Sequence, residues 1–516
     1  MTLPGEESSS PTGVNELAVE KSVAVRKAQE KTKKPPPATA PKSIFTNRPS
    51  PAEFYGIQQN QRELEPALDK EGIRRERAMR SDTSERFLAI PAGYPDVIDF
   101  EVAAEPPQID FAIVQGTEPW YLPVDDQIHV SPLSASAGFA MWSGFGAVRR
   151  GPDGCFYYSI GNHLYYGGNA YMMKYDPLEK VQSVCFESKK CLGWTPEMWT
   201  DGKIHGNPDI DSNGDMYVPT YSGPRPLAAD LKVVDYHGAH ILRYNIYSGE
   251  VEDLGVPLQG DTWCYSAYNE QLGLLFGVGQ AKGMVMAYDT RKRTMVYGGF
   301  PPPDIRWWMR CTLIDPESGK IYSSNVVSRE GEMPMVSWER KNSTFSILEV
   351  RSPTNPVSGK GEPLRAHTVS KDSHGAYWCF DEFGFMFRFF PAESRVEPVG
   401  LNWGKTGKYT ANLVMSPQGR YLYYLPGAHN RMYEYGTPLV QYDTENGKKK
   451  VIAFLNEYYV EKYGYSPYGA YGIDISKAGD SVFFYTNGLF STKEMGSGYG
   501  RPAVFHVQIP ESERPE

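Results

Sequence analysis

One short turn recurs along the whole chain. In KIHGNPDIDSNGDMYVPTY, Lys203 to Tyr221, two β-type runs flank Asp211-Ser212-Asn213-Gly214. An Asn-Gly pair between such runs predicts a tight hairpin, because type I′ turns need positive φ at both central positions. Glycines with strand-like residues on both sides also stand at Gly154, Gly273, Gly319, Gly375, Gly419 and Gly479. With Gly214 included, successive steps are 60, 59, 46, 56, 44 and 60 residues. Self-similarity at about 40–60 residues, with several strands per unit, predicts a β-propeller. Seven units of four strands make an all-β, seven-bladed ring, with six or eight blades if the segment 86–143 adds a unit or one is miscounted.

Composition limits the function classes. The 516-residue chain has a net charge of −9, which argues against nucleic acid as the main partner. No apolar run approaches the roughly 18 residues of a membrane span. The first twenty residues lack a basic segment followed by an apolar one, so no secretory signal is visible and a cytoplasmic location is expected. The six cysteines contain no C-x-x-C pair, and several lie in strand-like runs where a free thiol packs as a small hydrophobe. Neither disulfides nor a cysteine zinc site is expected.

Residues 1–85 differ from the rest. Ser8-Ser9-Ser10, the basic run Lys31 to Lys34 and PPPATAP are too poor in apolar groups to offset ordering entropy. They predict an extended or disordered arm with a short helix around 65–79. This arm either solubilises the protein or reaches a neighbouring subunit in a homo-oligomer. Residues 86–516 form the propeller, with repeats from about 140. The proline-rich span 86–143 supplies an outer strand and loops that close the ring. Within the repeats, a Tyr-Asp or Tyr-Asn motif ends the third strand: Tyr175-Asp176, Tyr244-Asn245, Tyr288-Asp289 and Tyr442-Asp443. Its acid or amide caps the turn into the outer strand. The fourth unit degrades the motif to FSILEV, the fifth to FMFRFFPAE and the last to VFHVQI.

Counting back from the glycines puts Gly146, His205/Gly206, Trp263/Cys264, Met309/Arg310, His367, Thr410/Ala411 and Ala470/Tyr471 on the inner strands. His163, Arg225, His237, His240, Gln280 and His429 fall on loops at the same rim. Propeller sites project from this face by fold-level analogy. Three readings fit. Imidazoles of His163, His205 and His367 could converge on one divalent ion. Alternatively, His205 or His367 could act as base and Tyr409 or Tyr471 as proton donor. Arg310 or Arg225 would anchor a carboxylate while a proton is abstracted beside it. Thirdly, Trp263 and Trp308, among the six rim tryptophans 194, 199, 263, 307, 308 and 403, could stack on saccharide rings without chemistry. Against each stands ordinary packing, since tryptophan and tyrosine also fill the wedges between blades.

The blade pattern, the histidine-rich rim and the Tyr-Asp turns resemble those of the propeller-fold lyases, such as oligogalacturonate lyase and virginiamycin B lyase. The resemblance is architectural and covers roughly residues 140–510. It implies β-elimination on a seven-bladed ring, using His or Tyr with a bound divalent ion (manganese, calcium or magnesium). The gluconolactonase-like propellers are a second relative, but their acidic calcium site has few counterparts here, Asp209 and Asp304 being the nearest. The sequence reading is therefore a propeller lyase acting on a carbohydrate or carboxylated small molecule. The alternative is a non-catalytic propeller that binds a glycan or protein partner.

Overall fold

The computed structural model describes residues 79–94, 99–114, 143–161, 169–193, 201–221, 237–327, 331–428, 432–467, 469–488 and 501–514. They build an all-β propeller of seven blades, as the glycine period predicts. Blades 1 to 6 follow one another along the chain, and each steps outward from the axis. Blade 3 shows the plan with Trp263–Asn269, Leu274–Gly279, Val285–Asp289 and Thr294–Gly299, all antiparallel. No helix among the described residues is long and apolar enough to cross a membrane.

Each of the seven glycines turns from the first strand of its blade into the second, with φ between +57° and +83°. The geometry differs from the expected type I′ turn. In the 211–214 turn of blade 2 only Gly214 takes positive φ, at +82°. The Asp211 side chain accepts from the amides of Asn213 and Asp215, both at 2.9 Å. This local acceptor holds the preceding residues in an ordinary right-handed turn, so only the last position needs glycine. The Tyr-Asp turns form as predicted. Asp176 accepts from the amides of Leu178 and Glu179, Asn245 from Tyr247 and Ser248, and Asp443 from Glu445 and Asn446. In the fourth unit FSILEV is the outer strand (Thr344–Arg351), and the third is Pro334–Glu339. The hydrophobic run had been matched one strand too early.

The ring closes with strands from both ends of the chain. Blade 7 takes Ala470–Ile475, Ser481–Gly488 and Arg501–Gln508 from the C-terminal end, and its fourth strand, Gln108–Ile113, comes from before the repeats. Arg80–Thr83 adds a fifth strand there, so regular pairing begins inside the span assigned to the arm. Glu101–Val102 lies parallel on the outer edge of blade 6. The described residues of the segment before the repeats thus strap the last two blades and build no eighth. The helix expected around 65–79 lies almost wholly outside the described residues.

The core sits in the wedges between blades. Trp338 joins blades 3 and 4 with Phe276 and Trp307, and Trp403 joins blades 5 and 6 with Phe380 and Tyr424. Each fully buried aromatic contributes about 1.5–3 kcal/mol through the area it removes from water.

Candidate functional site

The inner strands do not run straight past the axis. In blades 3, 5 and 7 one extra residue interrupts the pairing of first and second strands: Cys264, Arg365 and Tyr471. Blade 2 departs further. Between its two isolated bridges the span Lys203–Ile210 faces Met216–Tyr221, which is two residues shorter. Blade 1 does the same with 143–149 opposite 157–161, and blade 4 goes one further, with 307–313 opposite 322–325, three residues shorter. A bulge turns the extra residue out of the ladder and re-aims its side chain. Here the irregular spans of blades 1, 2, 5 and 7 bring Phe145, Arg149, His205, Asn207, Arg365 and Tyr471 to one central hollow. Glycine permits the crowding: a Cβ at Gly206 would fall on the hydroxyl of Ser266 in blade 3.

The hollow is lined by Phe145, Ala147, Arg149, His205, Asn207, Tyr265, Arg365, Ala366, His367, Ala411, Asn412 and Tyr471. Its volume of about 30 Å³ suits about two waters or a carboxylate that displaces them, whereas a sugar ring would have to lie above it.

Positive charge dominates the lining and the shell behind it. Arg365 is buried, and its Nη1 donates to the carbonyls of Ala411 at 3.1 Å and Arg310 at 3.5 Å. Its Nε donates to the hydroxyl of Tyr409, which also accepts from Nη1 of Arg310 at 3.2 Å. Glu382 approaches Arg310 no closer than 3.9 Å, and burial raises its carboxyl against the pull of both arginines. Arg149 is paired with Asp209 at 2.5 Å, and burial also raises the nearby Asp474. Lys203 is 7% exposed, with its Nζ 4.0 Å from the Phe145 ring centre and 5.1 Å from that of Tyr221. Four basic side chains therefore share three carboxylates, two of which resist ionisation.

The two imidazoles differ. His205 has a buried Nδ1 that nothing among the described residues bonds. Burial, then Lys203, Arg365 and Arg310, pushes its pKa well below that of an ordinary histidine, so it is neutral. His367 directs Nδ1 at the carbonyl of Thr368, 2.8 Å away, and Nε2 at that of Thr312, 2.9 Å away. Burial lowers its pKa against those two carbonyls. A neutral imidazole donates to only one of these carbonyls, and the lone pair of its other nitrogen faces a carbonyl oxygen instead of open space. Among the described residues no group of three or more His, Cys, Asp or Glu side chains could hold a metal ion.

Of the residues singled out in the sequence, His205, His367 and Tyr471 line the hollow, and Arg310 and Tyr409 stand behind it. Trp263 is fully buried in the wedge between blades 2 and 3, and Trp308 packs against the seam of blades 4 and 5. Neither lines the hollow. His240 pairs with Asp253 on its own blade, 2.9 Å away. His163, Arg225, His429, Trp194 and Trp199 lie outside the described residues. Arg149, Lys203, Asn207, Tyr265 and Arg365 were missed. All lie on inner strands already identified, a few positions from the residues chosen.

No family model matches the chain, and no curated protein matches it. Among solved structures it is similar to the WD40 β-propeller domain of Doa1, at 10% identity and a TM-score of 0.42, covering 73% of this chain and 98% of that one.

Proposed function

We propose that the protein is a binding propeller whose central hollow takes the carboxylate of an acidic glycan. One observation carries the reading: Arg310 and Arg365, from neighbouring blades, are joined through one tyrosine hydroxyl beside a hollow of carboxylate size. A guanidinium there meets an anion with little water to compete, so the charge-assisted bond is strong. Phe145, Tyr265 and Tyr471 line the same hollow and offer apolar surface to sugar carbons. Calorimetric titration with oligogalacturonate against neutral galactose oligomers tests this. The acidic ligand should bind and weaken with salt. Arg310→Gln and Arg365→Gln should each cost about tenfold or more, in line with the loss of one charge-assisted bond. Equal binding of acidic and neutral oligomers would overturn the reading.

A second reading rests on His205. A neutral imidazole with a free nitrogen beside two guanidiniums is the equipment for abstracting a proton next to a bound carboxylate. Incubation with oligogalacturonate should then give the ultraviolet absorbance of an unsaturated product, and His205→Ala should abolish it. Absorbance that never rises leaves the binding role alone.

A further inference from the structure

Lys203 is the feature that carbohydrate binding does not use. Its ammonium lies in the protein interior against the faces of Phe145 and Tyr221, from blades 1 and 2. No hydrogen bond or ion pair to a described carboxylate compensates it. The charged and titratable groups around it are Cys264 of blade 3, Arg310 of blade 4 and the neutral His205 two residues on. A solubilising lysine would not be placed there, because burying an unpaired ammonium costs several kcal/mol. A lysine desolvated beside other cations is, however, the usual arrangement for an amine nucleophile. Phe145, whose ring the ammonium faces at 4.0 Å, lines the hollow, and Lys203 stands behind that lining. Burial, reinforced by Arg310 and opposed by Cys264, lowers the amine to about 7, so near neutrality much of it is the free base.

We infer that Lys203 forms an imine with the aldehyde or ketone of a carboxylate-bearing ligand whose acid group is held by Arg310 and Arg365. The inference rests on the carboxylate reading above and narrows the ligand class to acids that also carry a carbonyl, as the open-chain reducing end of a uronate does. The amine lone pair attacks the carbonyl carbon to form a C–N bond. The carbonyl oxygen leaves as water with the two amine protons, and nothing is oxidised or reduced. The same balance in reverse releases the ligand.

Trapping tests it on the full chain. The protein is incubated near neutral pH with cyanoborohydride and one of three probes: galacturonate (carboxylate and aldehyde), methyl galacturonide (carboxylate only) or glycolaldehyde (aldehyde only). Labelled lysines are then mapped by mass spectrometry, and binding is followed in parallel by calorimetry. Galacturonate should label Lys203 at least about tenfold faster than surface lysines, as the free-base fractions at pKa values of about 7 and 10.5 require. Excess methyl galacturonide should bind, leave no label and protect Lys203. Lys203→Arg should bind galacturonate without yielding a labelled peptide at that position. Binding of both uronates with label spread evenly over the surface overturns the imine and leaves the carboxylate reading standing. If neither uronate binds, the carboxylate reading fails. Glycolaldehyde then judges the amine alone, and labelling of Lys203 no faster than surface lysines overturns the imine as well.

Discussion

Asn487 and Gly144 face each other across the join between blades 7 and 1. The Asn487 side chain accepts from the Gly144 amide at 2.9 Å and donates to the Gly144 carbonyl at 2.8 Å. A side-chain amide thus replaces one step of strand pairing where no strand continues. Asn487 is 1% exposed, so truncation leaves two buried backbone groups unpaired. Asn487→Ala should cost about 2–3 kcal/mol, read as a lower urea midpoint. A midpoint unchanged from wild type would mean that this join contributes nothing to closure.

The outer side of the same closure carries a buried acid. Asp110, on the strand that enters blade 7, accepts from Ser81 and from Lys180 Nζ at 2.8 Å, and lies 3.5 Å from His506. Burial alone would raise its carboxyl, but His506, Lys180 and Ser81 together hold it at about 2 against an ordinary 3.8. The native state therefore binds fewer protons than the unfolded state between these values. The contribution, about 2 kcal/mol, is complete above 3.8 and is lost as the pH falls towards 2. Asp110→Asn should lower the denaturation midpoint at neutral pH and converge on wild type near the acid limit. A deficit that stays constant through this window would assign the loss to packing rather than to charge.

How much of this was legible depends on which periodicity survived. All seven glycine turns could be read because positive φ leaves a chemical mark on the sequence, and the Tyr-Asp and Tyr-Asn turns because a short side-chain acceptor caps the end of the third strand in those units. The level of the inner-strand bulges left no such mark. Counting back from Gly375 reached His367, whose nitrogens face backbone carbonyls, and passed over Arg365, two residues earlier. The same slip chose His205 and omitted Lys203. Trp263 and Trp308 were misleading for a different reason: aromatic residues fill wedges and stack on sugars by the same contacts, and only burial tells the two apart.

Gly279 ends the second strand of blade 3 directly over Asp261, a fully buried carboxylate. Asp261 accepts from the amides of Thr262, Ala281, Lys282 and Met284 at 2.8–3.1 Å. A Cβ at Gly279 would land on the Asp261 carboxylate, which cannot retreat without abandoning those amides. Gly279→Ala should therefore destabilise by about 2–4 kcal/mol, beyond what added bulk at a yielding site would cost. A melting temperature within a degree or two of wild type would show that the loop has slack.

Lys203 makes the sharpest prediction, because here losing the charge relieves a cost, whereas at Asp110 it removes a stabilising contact. Its amine titrates at about 7 in the native state and at 10.5 when exposed. Below 7 both states hold the proton, and the native state bears the full cost of a buried, unpaired ammonium. From 7 to 10.5 the unfolded chain keeps the proton that the native chain has lost, so stability rises with pH across this window. Lys203→Met fills similar space without the charge. It should be more stable than wild type below pH 7, by a few kcal/mol and about 5 at the outside, with the gain shrinking towards 10.5. Paired urea denaturations of wild type and variant across that range isolate the lysine from every other titrating group. A gain that does not change with pH would mean that the ammonium is solvated in the native state. Lys203 would then stay protonated at neutral pH, and the imine proposed above would lose its free amine.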